Sequence, residues 1–152
     1  MKNIIITGGA GYVGSHCVIS LVKNGFRPII LDNFSNSHQN VIKKLEIITN
    51  KKITFHNVDV RDKKKLRAIF KKYLCYAVIH CAGFKSVGES VEQPTSYFDN
   101  NIGSTLSLLE CMQQYNIFKL IFSSSAAVYN DAQSLPIKET SKIGNTKNPY
   151  GT

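Results

Sequence analysis

Short apolar runs alternate along the chain with longer stretches in which apolar positions recur every three or four residues. The first run, Asn3 to Thr7, reads as a fully buried strand, followed by a glycine turn and a helix from about Tyr12 to Asn24 that stops at Gly25. Pro28 to Leu31 predicts a second strand ending at Asp32. Ser35 or Ser37 is then expected to cap a helix with the stripe Val41, Ile42, Leu45 and Ile48, and Lys52 to Asn57 gives a third strand. The next helix, capped by Asp62, carries Leu66, Ile69, Phe70 and Tyr73 on one face. Ala77 to His80 predicts a fourth strand, Pro94 starts a long helix reaching Tyr115, and Lys119 to Phe122 gives a fifth strand. Beyond Tyr129 the composition turns polar.

Strands separated by amphipathic helices predict βαβ units with right-handed crossovers, hence an α/β fold with a doubly wound parallel sheet covered on both faces. Ligands in such sheets bind beyond the carboxyl ends of the strands, where the strand order reverses. The residues just after each strand are therefore the candidates for chemistry. The polar tail, 130–152, contains Pro136 and Pro149 and ends without a terminating strand or helix, so the expectation is one domain over residues 1–152, C-terminally truncated and incomplete.

Composition narrows the class. With 152 residues, 43% of them apolar, the chain has the size and core of one globular domain, and its apolar runs of a few residues are too short to span a membrane. Met1 and Lys2 lead straight into the first strand, which reads as a cytoplasmic protein without a signal peptide. Cys17, Cys75, Cys81 and Cys111 lie far apart in apolar segments and read as buried reduced thiols, and the histidines show no metal spacing, so no metal site is expected. The net charge is +9, with eleven Lys/Arg against three Asp/Glu between positions 43 and 72. A nucleic-acid patch is one reading of that segment. The lysines of the helix capped by Asp62 fall opposite its apolar face, however, with no interleaved aromatics, and sixteen Lys, thirteen Asn and seventeen Ile suggest a bias toward A/T-rich codons. A solvated face is preferred, with neither nucleic acid nor membrane as partner.

Thr7-Gly8-Gly9-Ala10-Gly11-Tyr12-Val13-Gly14 follows a strand and opens a helix. Gly8 permits the tight turn, Gly11 lets the backbone approach a pyrophosphate at the helix N-terminus, and Gly14 lets the helix pack close to the sheet. Asp32 ends the second strand eighteen residues after Gly14, where a carboxylate can bind both ribose hydroxyls of adenosine and repel a 2′-phosphate. With no arginine at 33 to 37, NAD is favoured over NADP. Asp59 and Val60 after the third strand can bracket the adenine, or Asp59 can merely cap a turn. Cys81, Ala82 and Gly83 allow backbone approach to a dinucleotide, and Lys85, in the same loop after Phe84, supplies a cation or is simply solvated. Asn100 lies inside the long helix and faces either the ligand or solvent.

Ser123-Ser124-Ser125 ends the fifth strand, and Tyr150 follows Asn148-Pro149. Pro149 can start a helix whose dipole would favour a phenolate at Tyr150. A Ser and a Tyr converging on a nicotinamide suit hydride transfer, the phenolate accepting a hydroxyl proton while the serine hydrogen-bonds the same oxygen. A capping serine and a packed tyrosine are the plain alternative.

The segments T-G-G-A-G-Y-V-G-S-H, L-D-N-F-S-N-S, H-C-A-G-F-K-S-V-G-E-S-V, F-D-N-N, F-S-S-S-A-A-V-Y and N-P-Y-G together resemble the UDP-glucose 4-epimerases of the extended short-chain dehydrogenase/reductase family, from Lys2 to Thr152. The glycine pattern is shared by the superfamily; D-N-F-S-N-S and A-G-F-K-S-V-G-E-S-V are more specific to the epimerases. The resemblance implies that Tyr12, Val13, Asp32, Asn33, Phe34, Ser35, Asn36, Ser37, Asp59, Val60, Cys81, Ala82, Gly83, Phe84, Lys85 and Asn100 bind NAD in a Rossmann domain, with Ser123 beside them and Ser125 and Tyr150 at the reacting sugar. Cys81 stands where these enzymes often have phenylalanine. Related sugar-nucleotide dehydratases carry Thr-Asp-Glu where this chain has Ser125-Ala126-Ala127, and removal of water needs an acid and a base that two alanines cannot supply.

The implied reaction is redox-neutral interconversion of UDP-glucose and UDP-galactose through a 4-keto sugar, with NAD regenerated each cycle. The family's Tyr-x-x-x-Lys lysine has no counterpart within two residues after Tyr150, and the implied substrate domain is absent. A homodimer in whose interface the Pro94 helix pairs with the helix beginning near Tyr150 is also implied, with an incomplete interface here. A non-enzymatic NAD-binding module and one half of a split enzyme are the alternatives.

Overall fold

The computed structural model describes residues 1–129, 136–144 and 146–152. Ile4, Ile5 and Ile6 alternate between the two faces of strand β1 (Asn3–Thr7), and because all three are buried the strand must be covered on both sides. Strands β2 (Arg27–Asp32), β3 (Thr54–Asn57), β4 (Cys75–His80) and β5 (Leu120–Phe122) complete a parallel sheet in the order β3-β2-β1-β4-β5. On one face Ile4, Ile6 and Ile30 pack with Val18 and Val22 of α1 (Tyr12–Lys23) and with Ile42 and Leu45 of α2 (Asn40–Thr49). On the other, Ile5, Ile29 and Val78 meet Leu66 and Phe70 of α3 (Lys63–Lys72) and Leu108 and Met112 of α6 (Ser104–Gln114). Each such side chain contributes about 1.5–3 kcal/mol by its burial. The doubly wound parallel architecture is the one the periodicity predicts.

Pro28 is tolerated inside β2 because of register. In a parallel ladder successive residues bond to opposite sides, and the Arg27 N–H donates to Lys2 O on the β1 side, so Pro28 faces β3. Pairing with β3 begins only at Ile29 opposite Thr54, and no bond is lost there.

Several boundaries differ from the periodic reading. Neither Ser35 nor Ser37 caps α2, which starts at Asn40 without a side-chain cap; the Ser37 hydroxyl instead donates to Asp32. Ile48 is exposed, since at 100° per residue it is Thr49 that lies over Ile42, and the Thr49 hydroxyl bonds back to Leu45 O at 2.7 Å. β3 begins at Thr54 rather than Lys52, because the Ile53 N–H is taken by the Glu46 carboxylate. β4 begins two residues before Ala77, and β5 starts after Lys119. Asp62 caps α3 as expected, accepting from Lys65 N at 3.0 Å, while Lys63 and Arg67 reach across to Glu110 of α6. Cys111 is buried, but Cys17, Cys75 and Cys81 are half-buried; all four thiols are free.

The largest departure lies between β4 and β5. A short helix α4 (Val87–Glu92) precedes α5 (Pro94–Tyr97), and α5 runs into α6 through a π-helical turn, Phe98–Gly103. After β5 a 3₁₀ turn covers Ala126–Val128, and Pro149, Tyr150 and Gly151 lie in a turn. Among the described residues no helix is long and apolar enough to cross a membrane.

Candidate functional site

The strand order reverses at β1, whose neighbours are β2 and β4, and a cavity of about 660 Å³ opens beyond the carboxyl ends of these strands. Its floor is the turn between β1 and α1. Gly8 adopts φ +65°, and a Cβ there would lie 2.7 Å from Ala82 N, so the turn and the end of β4 touch backbone to backbone. The N–H groups at the start of α1 have no intrahelical acceptor, Gly11 offers no side-chain cap, and the first turn holds no acidic residue. Tyr12, Val13 and Gly14 line the cavity there, presenting uncompensated positive dipole ends.

Asp32, at the end of β2, is nearly buried yet fully organised by its own loop. Oδ2 accepts from Ala10 N at 2.9 Å, and Oδ1 accepts from Phe34 N and Ser37 Oγ, both at 2.9 Å. Asn33, Ser35, Asn36 and Ser37 follow it along the cavity wall. Phe34 is the exception among the residues named from sequence: at φ +57° its ring turns into the core against Phe55, 6.2 Å away, and it does not line the cavity. Asp59 accepts from Asn33 Nδ2 and is paired with Arg61 at 2.7 Å, which pulls its carboxyl down to about 2. Arg61 also binds Asp99 in the π-turn, so Asp59 is part of an ion-pair chain as well as a cavity wall beside Val60.

The loop after β4 is held by a residue the sequence reading missed. Asn101 Oδ1 accepts from Phe84 N at 2.8 Å and its Nδ2 donates to Phe84 O at 2.9 Å, a two-point grip on the backbone of one residue. Asn100, on the cavity wall, donates to the same Oδ1. Cys81, Ala82 and Gly83 line the cavity, with Lys85 exposed at its rim. Burial, with the Cys17 thiol nearby, pushes the Cys81 thiol up to about 11.

Below this loop His80 is buried between two threonines. Thr105 Oγ1 donates to Asn101 O at 2.7 Å, so His80 Nε2 must be the donor to Thr105, and Nδ1 accepts from Thr7. Burial lowers its pKa to about 4, so the ring is neutral at pH 7, as an accepting Nδ1 requires. Between pH 6.5 and about 4 the unfolded chain holds a proton that the folded one does not. The stabilisation is thus fully present above 6.5 and lost as pH falls toward 4, by roughly 3 kcal/mol in all. An NMR titration is expected to find the His80 midpoint near 4, and His80→Gln to flatten that part of the stability profile; an ordinary midpoint would contradict the assignment.

Ser123 and Ser125 line the same cavity at the end of β5, and Ser125 Oγ accepts from Ala127 N at 3.1 Å, which leaves its hydroxyl hydrogen as a donor. Tyr150 lines it too. Its N–H donates to Ser90 Oγ, and its ring meets the edge of Tyr97 at 6.4 Å. The next residue, buried Gly151, is pressed so close to Ala127 O that a Cβ would lie 2.6 Å from it, tying the tyrosine's turn to the serine's.

A family model described as GDP-mannose 4,6 dehydratase matches residues 5–152. UDP-glucose 4-epimerase of Neisseria meningitidis (serogroup A) is 47% identical over 152 residues, covering 100% of this chain and 45% of that protein. The Dictyostelium discoideum enzyme of the same name is 50% identical over 148 residues, 97% of this chain and 43% of that one. The crystal structure of UDP-glucose 4-epimerase from Bifidobacterium longum in complex with NAD+ and UDP superposes with a TM-score of 0.96 at 43% identity, covering 99% of this chain and 45% of that one. The chain thus spans about 45% of the length of such relatives. The chain belongs to the GDP-mannose 4,6 dehydratase family and within it is related to the UDP-glucose 4-epimerases, whose N-terminal half it matches.

Proposed function

We propose that this chain is the NAD-binding half of a cytoplasmic UDP-glucose 4-epimerase. The observation that carries the reading is one continuous cavity shared by the uncapped start of α1, Asp32, Ser125 and Tyr150. The residues present fit the cofactor. A Cβ at Gly11 would meet only Gly8 O, at 3.2 Å, so its cavity side is open to a pyrophosphate over the first turn of α1. Asp32, held rigid by three donors, accepts ribose hydroxyls, and the segments after β3 and β4 enclose the rest. Bound there, NAD supplies a reversible acceptor for the hydrogen on carbon 4 of a UDP-sugar. Tyr150 Oη takes the proton of the 4-hydroxyl and gives it back, and Ser125 Oγ donates to the sugar oxygen while its charge changes.

The name of the matching family model points to a dehydratase, but the local residues favour epimerisation. Ser125-Ala126-Ala127 offers no carboxylate at the turn after β5, and elimination of water needs an acid and a base in addition to the tyrosine. The exposed apolar residues Phe98, Ile102, Leu106 and Leu109 support pairing of this helical segment with a second copy.

Calorimetry tests the cofactor assignment. NAD is expected to bind more tightly than NADP, because a 2′-phosphate would meet the Asp32 carboxylate. Asp32→Ala is expected to weaken NAD roughly tenfold to a hundredfold, the worth of a charge-assisted contact. Equal affinities for the two cofactors would remove the support for this role of Asp32.

A further inference from the structure

A proton acceptor must be held to within a fraction of an ångström: it has to come within about 2.6–3.2 Å of the proton donor, and a 1 Å error can cost about a hundredfold in rate. Resting on the reading of Tyr150 as that acceptor, we propose that Ser90 and Tyr97, locked by Glu89, are positioning residues for it, Ser90 fixing its backbone and Tyr97 its ring.

Ser90 is fully buried in α4. Its hydroxyl hydrogen is committed to Val87 O at 2.6 Å, and one of its lone pairs accepts the Tyr150 N–H at 3.3 Å, a bond across sixty residues of sequence. Tyr97 is 2% exposed and its ring is flanked by Phe84 at 5.4 Å and by Tyr150 at 6.4 Å, the latter edge-on at 81°. That edge-to-face arrangement is the favoured one for paired aromatics.

The lock is an altered capping box. Ser86-Val87-Gly88-Glu89 has the Ser-x-x-Glu spacing, and Ser86 Oγ accepts from Glu89 N as such a box requires. In the usual box the glutamate would reach back to the Ser86 N–H. Here the Tyr97 hydroxyl is inserted between them: it accepts from Ser86 N at 3.1 Å and donates to Glu89 Oε2 at 2.6 Å. Tyr97 is thereby fixed at its hydroxyl as well as its backbone, and the reciprocal half of the α4 cap runs through the ring that Tyr150 rests on. Burial and the Glu89 carboxylate raise the Tyr97 pKa, so it stays a neutral donor.

The test reads Tyr150 directly. All tyrosines of the chain are replaced by 3-fluorotyrosine, and the ¹⁹F resonance of Tyr150 is assigned by its loss in Tyr150→Phe. Glu89→Ala and Ser90→Ala are expected to move this resonance to the free amino-acid position and narrow it, while Glu89→Gln, whose amide oxygen still accepts from Tyr97, keeps it in place. Glu89 is exposed, so its variants remain folded and informative even where Ser90→Ala does not. A Tyr150 resonance unmoved in Glu89→Ala would overturn the proposal. A shift shared equally by Glu89→Ala and Glu89→Gln would also overturn it, since the inserted hydroxyl would not be the lock. NAD calorimetry on the unsubstituted chain reports on the cofactor reading separately, so the two failures are distinguishable.

Discussion

Gly14→Ala is expected to lower the thermal unfolding midpoint by roughly 10 °C and to abolish NAD binding. Helix propensity argues the other way, since alanine inside α1 should gain about 1 kcal/mol over glycine. Sterics decide the matter. A Cβ on Gly14 would stand 2.3 Å from Gly8 O, 2.8 Å from Gly9 Cα and 2.9 Å from Gly8 C. These are backbone atoms of a turn already in contact with the end of β4, so relief requires α1 as a whole to lift from the sheet. Overpacking of this kind costs about 3 kcal/mol or more, which at about 3 °C per kcal/mol for a chain of this size gives the stated shift. Lifting α1 also withdraws its first turn from the cavity. Gly88→Ala is the control: a Cβ there meets nothing within 4 Å inside α4, so calorimetry should find it unchanged or slightly stabilised. Equal melting of the Gly14 and Gly88 variants would refute the close-packing argument.

The central strands were legible because each carries a short apolar run covered by the sheet's two flanking layers, whereas the edge strands β3 and β5 are only half-buried or exposed. Asp62 was legible as a cap because its other partner, the Lys65 ammonium, lies in the same helical turn and takes the second carboxylate oxygen. Ser37 was misread for the opposite reason: Asp32, five residues earlier, captures its hydroxyl, and α2 starts later. The irregularities between β4 and β5 were hidden because they depend on contacts distant in sequence. The π-turn carries Asn101, which grips Phe84, and Asp99, which meets Arg61 of the β3–α3 connection. No local periodicity encodes such partners, and a polar residue inside a helix looks solvated until its partner is known.

The candidate site was legible to the extent that strand ends determine it. Every sequence-named residue except Phe34 lines the cavity, because the switch point of the sheet brings all strand ends there together. Asn101, Tyr97 and Ser90 escaped notice since they act on other residues of the wall. The Ser86-x-x-Glu89 spacing was the one available signal, and it points to a helix start rather than to the tyrosine it locks.

The 152-residue chain supplied with NAD and UDP-galactose is expected to form UDP-glucose at no useful rate. It spans about 45% of the length of the epimerases it resembles. On the family pattern, Tyr150 needs a lysine four residues further on, and that position is not part of this chain. Ser90 and Tyr97 place the tyrosine, but placing one group does not orient the sugar. Loss of an activated proton acceptor costs about a hundredfold to ten-thousandfold. Loss of substrate orientation costs several kcal/mol more, a further factor on the order of a thousand, so the combined deficit approaches about a millionfold if the two are even roughly independent. Adding Ser-Lys after Thr152 should therefore leave the chain inactive, whereas co-expression with the C-terminal half of a close relative should restore turnover that Tyr150→Phe removes. A coupled assay for UDP-glucose distinguishes these cases. Turnover of about one per second by the chain alone, in the range of ordinary enzymes and lost in Tyr150→Phe, would mean that the cavity around Ser125 and Tyr150 captures and orients the sugar without further help.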